Sequence, residues 1–257
     1  MKVVRTVADV RAALREERAR GRIGLVPTMG AYHAGHVALF SAARTECNVV
    51  VASLFVNPAQ FSEDPDLASY PRDEATDLTV AEEAGVDLVF APSAEEMYPP
   101  GFQTWVEVTE LGSILEGAFR PGHFRGVASV CLKLFNIVRP DVAYFGQNDA
   151  QQVEVIQRMI RDLDLELDLR IHPTVRDPDG LALSSRNAAL SPVERRQALT
   201  LHRALSTRDV ERAREILASL DVDYVEIAPF DPPVIAAAVR VGRTRLIDNV
   251  VLEEAAT

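Results

Sequence analysis

Val26-Pro27-Thr28-Met29-Gly30-Ala31-Tyr32-His33-Ala34-Gly35-His36 joins a short apolar run to a helical pattern, and that junction decides the fold class. The run Ile23 to Val26 reads as a buried strand of a parallel sheet. Pro27 has no N–H for the ladder and is expected to end that strand. Gly30 and Gly35 allow a tight turn and a close backbone approach to a ligand. After His36, the residues Val37, Leu39 and Phe40 with small Ala38 and Ala42 give a helical pattern. Both histidines therefore fall at the start of a helix that follows a strand. There the free backbone N–H groups and the helix dipole favour an anion, most naturally phosphate. On this stretch alone the pair reads as phosphate donors, as ordinary helix-start histidines, or as two metal ligands. No third ligand follows at a suitable spacing, which weighs against the metal.

Outward from the junction, strands and helices alternate. Val7 to Arg20 reads as an exposed amphipathic helix with Val10, Ala13 and Leu14 on its apolar face. Val49–Val56 is a second buried strand, β-branched and almost wholly apolar. A helix over Asp73 to Ala84 stops at Gly85, and Leu88-Val89-Phe90 is a third strand closed by Pro92. Thr104 to Val108 alternates and is expected as an extra strand at the sheet edge. Phe124 to Val138 is a long helix stopped before Pro140. Val142–Phe145, Asp149–Asp162 and Leu167–Ile171 follow as strand, helix and strand. Such alternation means right-handed βαβ units in an α/β, doubly wound parallel sheet. Ligands sit at the carboxyl ends of its strands, where the turns after Val26, Val56 and Phe145 lie.

Past Thr174 the character changes. Asp177-Pro178-Asp179-Gly180 is a turn, and Ser191-Pro192-Val193-Glu194 is a helix start with a capping box. Two helices and short strands around Val225, Val239 and Leu246 complete a small C-terminal α+β domain. The division expected is residues 1–174 and 175–257.

The 257 residues, 47% of them hydrophobic, give a globular protein with a real core. A formal charge of −11 argues against a nucleic-acid or anionic-membrane surface, since both need a basic face. Lys2 and Lys133 are the only lysines, so the basic character is carried by arginine. Cys47 and Cys131 lie far apart and read as reduced, buried thiols. No signal peptide pattern is visible and Val49–Val56 is too short to span a bilayer, so a cytoplasmic protein is expected.

Several stretches after strands carry candidate chemistry. Asn57 and Gln60 in Phe55-Val56-Asn57-Pro58-Ala59-Gln60-Phe61 suit hydrogen bonds to a small polar substrate, or build a structural turn. Arg120 and Arg125, beside a helix start in Arg120-Pro121-Gly122-His123-Phe124-Arg125-Gly126, read as anion ligands or as solvated surface. Phe145-Gly146-Gln147-Asn148-Asp149-Ala150-Gln151-Gln152 repeats the strand, turn and helix arrangement. Ser184-Ser185-Arg186 offers hydroxyls and a fixed cation for a pyrophosphate leaving group.

Together these residues resemble the pantothenate synthetases, the ATP-dependent pantoate–β-alanine ligases. The likeness runs from about Val3 to Asp248 and includes P-T-M-G-x-x-H-x-G-H, F-V-N-P-x-Q-F, Y-P-R, M-Y-P, L-E-G-x-x-R-P-G-H-F-x-G-V, K-L-F-N-I-V, D-G-L-A-L-S-S-R-N and R-L-I-D-N. In this order the motifs are highly specific. The resemblance implies a Rossmann-like sheet of the H-x-G-H nucleotidyltransferase type, a C-terminal lid and a homodimer. It implies that ATP and Mg²⁺ convert a hydroxy acid to an acyl-adenylate, from which an amine displaces AMP. It also implies that Met29, Gly30, His33, Gly35 and His36 hold ATP, with His36 in the family's proton-donor position. Gly146, Asn148, Asp149, Val175, Leu183, Ser184, Ser185 and Arg186 match further ATP contacts. His33, His36, Ser184, Ser185 and Arg186 are the catalytic candidates, and Asp149 is the carboxylate for Mg²⁺. Gln60 and Gln152 match pantoate-binding glutamines, with Asn57 and Arg120 as further substrate candidates.

The chain departs from the family pattern at one segment. F-G-E-K-D-[YF]-Q-Q becomes Phe145-Gly146-Gln147-Asn148-Asp149-Ala150-Gln151-Gln152. A phosphate-facing lysine is replaced by Asn148, and a contact of that kind is worth about 2–4 kcal/mol, or roughly 10² to 10³ in rate. The segment from Leu205 to Asp248 is also shorter than usual. Three readings follow: a synthetase with a compensating arginine, a diverged ligase joining another acid and amine, or a weak ligand-binding protein with a regulatory role. The preserved histidines and the Ser184-Ser185-Arg186 segment argue against the third.

Overall fold

The computed structural model describes residues 1–61, 67–68 and 70–252, so positions 253–257 of the expected C-terminal domain lie outside the described residues. Strands β1 (Lys2–Val4), β2 (Ile23–Thr28), β3 (Val49–Leu54), β4 (Leu88–Phe90), β5 (Val142–Gly146) and β6 (Asp168–His172) form one sheet in the order β1-β4-β3-β2-β5-β6. The pairs β1–β4, β4–β3, β3–β2 and β2–β5 are parallel. The order reverses between β2 and β5, the switch point at which doubly wound sheets place their ligands. β1 is an addition to the expected strands. It is only three residues long, too short for a pattern of its own, and is held at the edge by its pairing with β4.

The interior of this sheet is apolar because helices cover it. Val26, Val50, Ala52, Val89, Val142 and Tyr144 pack with Leu39, Phe40 and Ala43 of the helix Ala34–Glu46. Phe40 is fully buried, worth about 1.5–3 kcal/mol of transfer free energy. The helix His123–Val138 buries Phe124, Val127, Ala128, Leu134, Phe135 and Val138. It ends at Arg139 in the left-handed region, φ 48°, just before Pro140. Cys47 and Cys131 are free and buried, and burial pushes the Cys131 thiol up to about 12.

Two expectations are corrected. Pro27 does not end its strand but pairs with Ser53 inside β2. Thr28 turns its N–H toward β3, where Ser53 Oγ accepts at 3.0 Å, so the Pro27 nitrogen faces the β5 side. There the pairing with β5 ends at Leu25, and the missing N–H breaks no ladder bond. Thr104 to Val108 is not a strand. Val106 donates its N–H to Ser129 Oγ, 2.9 Å away on the helix His123–Val138, and Trp105 stacks on Tyr98. The segment is an extended tether whose partner is a helix.

The described residues divide into two units, one within 1–145 and 155–172, the other within 146–154 and 173–252. Gly146–Glu154, expected in the first domain, groups with the second. The reason is hydrogen bonding: the Asn249 side chain donates to the carbonyls of Gln147 and Asn148, at 2.9 and 3.0 Å. The second unit holds the helices Pro192–Leu205 and Val210–Leu217 and an antiparallel sheet of β7 (Asp221–Ala228), β8 (Val234–Val241) and β9 (Thr244–Val251). Leu201, Leu205 and Leu217 pack on Val225, Ile235, Val239 and Leu246. Ser191 and Glu194 form the expected capping box.

Candidate active site

Met29–His36 leave the carboxyl end of β2 at the switch point. Gly30 has φ 88° and Ala31 φ 53°, so the loop turns through left-handed backbone twice in succession. A buried carboxylate holds it there. Asp77, on the helix Glu74–Glu83, is 3% exposed and accepts from the Ala31 N–H at 2.9 Å and the Tyr32 N–H at 2.7 Å. A Cβ at position 30 would stand 2.7 Å from Asp77 Oδ2 and from Leu54 Cδ1, so glycine is needed for space as well as for backbone.

His33 caps the helix Ala34–Glu46, and its Nδ1 accepts from the Gly35 N–H at 3.1 Å. His36 Nδ1 accepts from the His33 N–H at 3.3 Å. Each Nδ1 is therefore an acceptor, and each neutral ring keeps its proton on Nε2. The two rings lie 4.2 Å apart, and Tyr32 packs 5.2 Å from His36. Burial, then the neighbouring His33, pushes His36 down to about 3, so it is neutral near pH 7. His36 thus offers an uncharged Nε2–H donor in a fixed tautomer. Among the described residues no group of three or more His, Cys, Asp or Glu side chains is gathered to hold a metal.

Asn57 and Gln60 form a second cluster in the same unit. Asn57 is 1% exposed, and its Nδ2 donates to Gln60 Oε1 at 2.9 Å and to the Gly126 carbonyl at 3.2 Å. Its Oδ1 accepts from the Ala59 N–H at 3.3 Å and from the Tyr98 hydroxyl at 2.8 Å. All four hydrogen-bonding positions of Asn57 are met within the protein. Its effect is to fix Gln60, whose Oε1 is held inward so that Nε2 is the amide's remaining donor.

His123 braces the same turn from behind. Its Nδ1 donates to the Gln60 carbonyl at 2.8 Å, which leaves Nε2 to accept from Arg120 Nη1 at 3.2 Å. Arg120 lies 3.9 Å from the carboxylate of buried Glu116. Arg120 is therefore not a solvated arginine, and His123 links it to the Gln60 backbone. Arg125 stands 5.4 Å from the Trp105 ring centre, a cation–π contact. Gly126 lets the helix come close: a Cβ there would meet the Ala59 carbonyl oxygen at 2.2 Å.

In the second unit, Leu183 donates its N–H to the Val175 carbonyl at 2.9 Å, and Ser184 Oγ caps the short turn Ser185–Ala189 by accepting from the Arg186 N–H at 3.3 Å. Gln152 is half-buried in the first turn of the helix Ala150–Asp162, and Asp149 is exposed just before it. Asn148 Oδ1 is buried with no hydrogen-bond partner. Of the chain's two lysines, Lys2 lies in β1, and Lys133 Nζ sits 5.0 Å from the Phe102 ring centre.

Sequence reasoning assigned no role to Asp77, Tyr98, His123, Asp248 or Asn249. Asp77 had one available signal. It shares a helix face with buried Ala81, four residues on, where a carboxylate has no business unless it is bound.

A six-stranded parallel sheet with a histidine-capped helix after its switch-point strand, joined to a small α+β unit, defines a Rossmann-like protein of the H-x-G-H nucleotidyltransferase type. Residues 2–251 match the family model described as pantoate-beta-alanine ligase, and the chain belongs to that family. The pantothenate synthetase of Heliobacterium modesticaldum is 51% identical over 280 aligned residues, covering 98% of this chain and 100% of that protein. Among solved structures, pantothenate synthetase from Thermus thermophilus is similar at a TM-score of 0.92 and 45% identity, covering 98% of this chain and 99% of that one. The Francisella tularensis pantoate-beta-alanine ligase, solved as a complex with beta-gamma ATP and beta-alanine, is similar at a TM-score of 0.89 and 34% identity, covering 98% and 97%.

Proposed function

We propose that this protein joins pantoate to β-alanine at the expense of ATP, through an acyl-adenylate. A pantoate carboxylate oxygen attacks the α-phosphorus of ATP, and the bond from that phosphorus to the pyrophosphate oxygen breaks. The β-alanine nitrogen then attacks the acyl carbon, loses a proton, and AMP leaves as the amide forms. The observation that carries this reading is the histidine pair whose tautomers are set by the backbone at the helix start. The Nε2–H that this leaves on His36 is the donor proposed for phosphate charge as it builds.

The remaining roles follow from the residues. Met29, Gly30 and Gly35 bring backbone N–H groups to ATP, with Gly146, Asn148, Asp149, Val175 and Leu183 as further contacts. Ser184, Ser185 and Arg186 stabilise departing pyrophosphate with hydroxyls and a fixed cation. Gln60 and Gln152 hold the acid, and Asn57 and Arg120 act through Gln60 and His123 respectively. A Mg²⁺ ion carried on the ATP phosphates needs only one or two protein carboxylates, which suits exposed Asp149, and it would neutralise phosphate charge. The family resemblance supports a homodimer acting in the cytoplasm; among the described residues no helix is long and apolar enough to cross a membrane.

A panel of hydroxy acids tested for ATP–pyrophosphate exchange, followed by a panel of amines, tests the reading. Pyrophosphate release with pantoate and AMP formation with β-alanine are expected. ADP and phosphate as products would overturn the adenylate route. A second reading, a ligase for another acid, is favoured by Asn148 and by buried Ala150 at a position where the family carries an aromatic ring. Faster exchange with a different acid would decide for it.

A further inference from the structure

Two consecutive residues of β9 reach both second-unit segments assigned above to the nucleotide. Asp248 is 3% exposed and takes Arg176 in a two-point ion pair, 2.8 Å at each oxygen. Arg176 bridges to Ala182 in the short hairpin that delivers Leu183–Arg186. His202 Nδ1 stands 3.4 Å from Asp248 Oδ2. Asp248 Oδ1 also accepts from the Asn249 backbone N–H at 2.8 Å. Burial would raise the Asp248 carboxyl, but the nearby His202 and the two bonds from Arg176 outweigh it and hold the group below its usual range.

Asn249 works in the other direction. It is 5% exposed, and its Nδ2 donates to the carbonyls of Gln147 and Asn148 while its Oδ1 accepts from Gln147 Nε2 at 3.2 Å. Successive side chains of a strand leave by opposite faces, so neighbouring residues can hold two separate segments. We infer that Asp248 and Asn249 are positioning residues for ATP: one anchors the Leu183–Arg186 hairpin, the other anchors the Gly146–Asp149 turn, and the strand between them fixes their spacing. The inference rests on the nucleotide assignment of those two segments.

Gln147 completes the device. With Asn249 Nδ2 committed to two carbonyls, Asn249 Oδ1 needs a donor, and a glutamate at 147 would supply none. The turn in this chain is thus closed by uncharged amides.

The test is steady-state kinetics on Asn249→Asp and Arg176→Lys, with thermal unfolding in parallel. Asn249→Asp sets a carboxylate against two carbonyl oxygens, and Arg176→Lys keeps the charge but loses the two-point fit. Both should raise KM for ATP about tenfold or more, because a displaced turn misplaces the phosphates, while KM for pantoate stays within about twofold. An unchanged KM for ATP in both variants, with only a lower melting temperature, would reduce the pair to structural struts and overturn the inference. Should Asn249→Asp not fold, Gln147→Glu alters one bond of the same turn and carries the measurement. Calorimetric titration of ATP separates this inference from the reading it rests on. A wild type that binds ATP without turning over pantoate leaves the positioning role testable by affinity alone. Wild type and Asn249→Asp binding ATP equally would sink the positioning role only, and a wild type that binds no ATP would sink both.

Discussion

The backbone N–H of His33 donates to Nδ1 of His36, 3.3 Å away, and that bond determines which nitrogen of His36 keeps its proton. Nε2–H is left as a neutral donor. Its ring needs no charge to act, because a neutral N–H bond strengthens as negative charge gathers on a phosphate oxygen. His36→Ala is expected to lower the pyrophosphate-exchange rate by about 10²-fold while changing pantoate affinity little. Exchange kinetics and equilibrium binding of pantoate check this. Normal turnover in the folded fraction, with only lowered stability, would make His36 a helix cap and nothing more.

The same residue sets a pH dependence of stability. Its folded pKa, about 3, lies below the ordinary histidine value of 6.5, so between these the unfolded chain binds more protons than the folded one. Stability therefore rises with pH across that window and is lost as pH falls from about 6.5 toward 3. His36→Gln cannot take up that proton, so its acid loss should be shallower than that of the wild type. Urea midpoints of both proteins between about pH 6.5 and 4 measure the difference. Parallel curves would show that His36 does not resist protonation in the fold.

Much of the fold was legible because local rules govern it. Ile23–Val26, the helix start at His33, the stop at Gly85 and the Ser191–Glu194 capping box each depend on residues within a few positions of one another. What escaped depends on distant partners. Whether Pro27 ends a strand depends on which neighbour its nitrogen faces, and Thr104 to Val108 alternates whether it borders a sheet or a helix. Asp77 acts on a backbone 45 residues away, and Asn249 on one 102 residues away. Asn57 was legible as a polar residue at a strand end, but its role was not, since a strut and a ligand share one side-chain chemistry.

Close packing at Gly126 makes the Asn57–Gln60 turn sensitive to one methyl group. Gly126→Ala would place a Cβ 2.2 Å from the Ala59 carbonyl oxygen and 2.6 Å from the Gln60 nitrogen, both backbone atoms that cannot swing aside. The helix or the turn must shift, at about 1–3 kcal/mol of stability. Gln60 moves with the turn, so KM for pantoate should rise more than KM for ATP. Denaturant unfolding and the two KM values check it. An equal rise in both would mean a general loosening of the unit rather than displacement of the acid site.

Asn148 offers the sharpest test of how this chain departs from its family. Its Oδ1 is buried without a partner, a state that costs about 1–3 kcal/mol, while its backbone carbonyl is held by Asn249. Asn148→Lys removes the orphaned oxygen and leaves the backbone bond in place, so the turn should keep its shape. The stem adds a cation beside the phosphates, and the chain's own two lysines lie in β1 and against Phe102. Pyrophosphate exchange with pantoate should therefore rise, on the order of 10-fold to 10²-fold for one restored charge contact. Gln147→Glu with Asn148→Lys restores the family pair but takes the donor from Asn249 Oδ1, so the double variant should gain less than the single one. Exchange rates for the wild type and both variants, measured across the acid panel, decide the matter. Efficient pantoate turnover by the wild type with no gain in Asn148→Lys would show that Arg186 and the histidines already carry the phosphate charge. A gain confined to pantoate, with a different acid still faster in the wild type, would instead mark the Gly146–Ala150 segment as rebuilt for that acid.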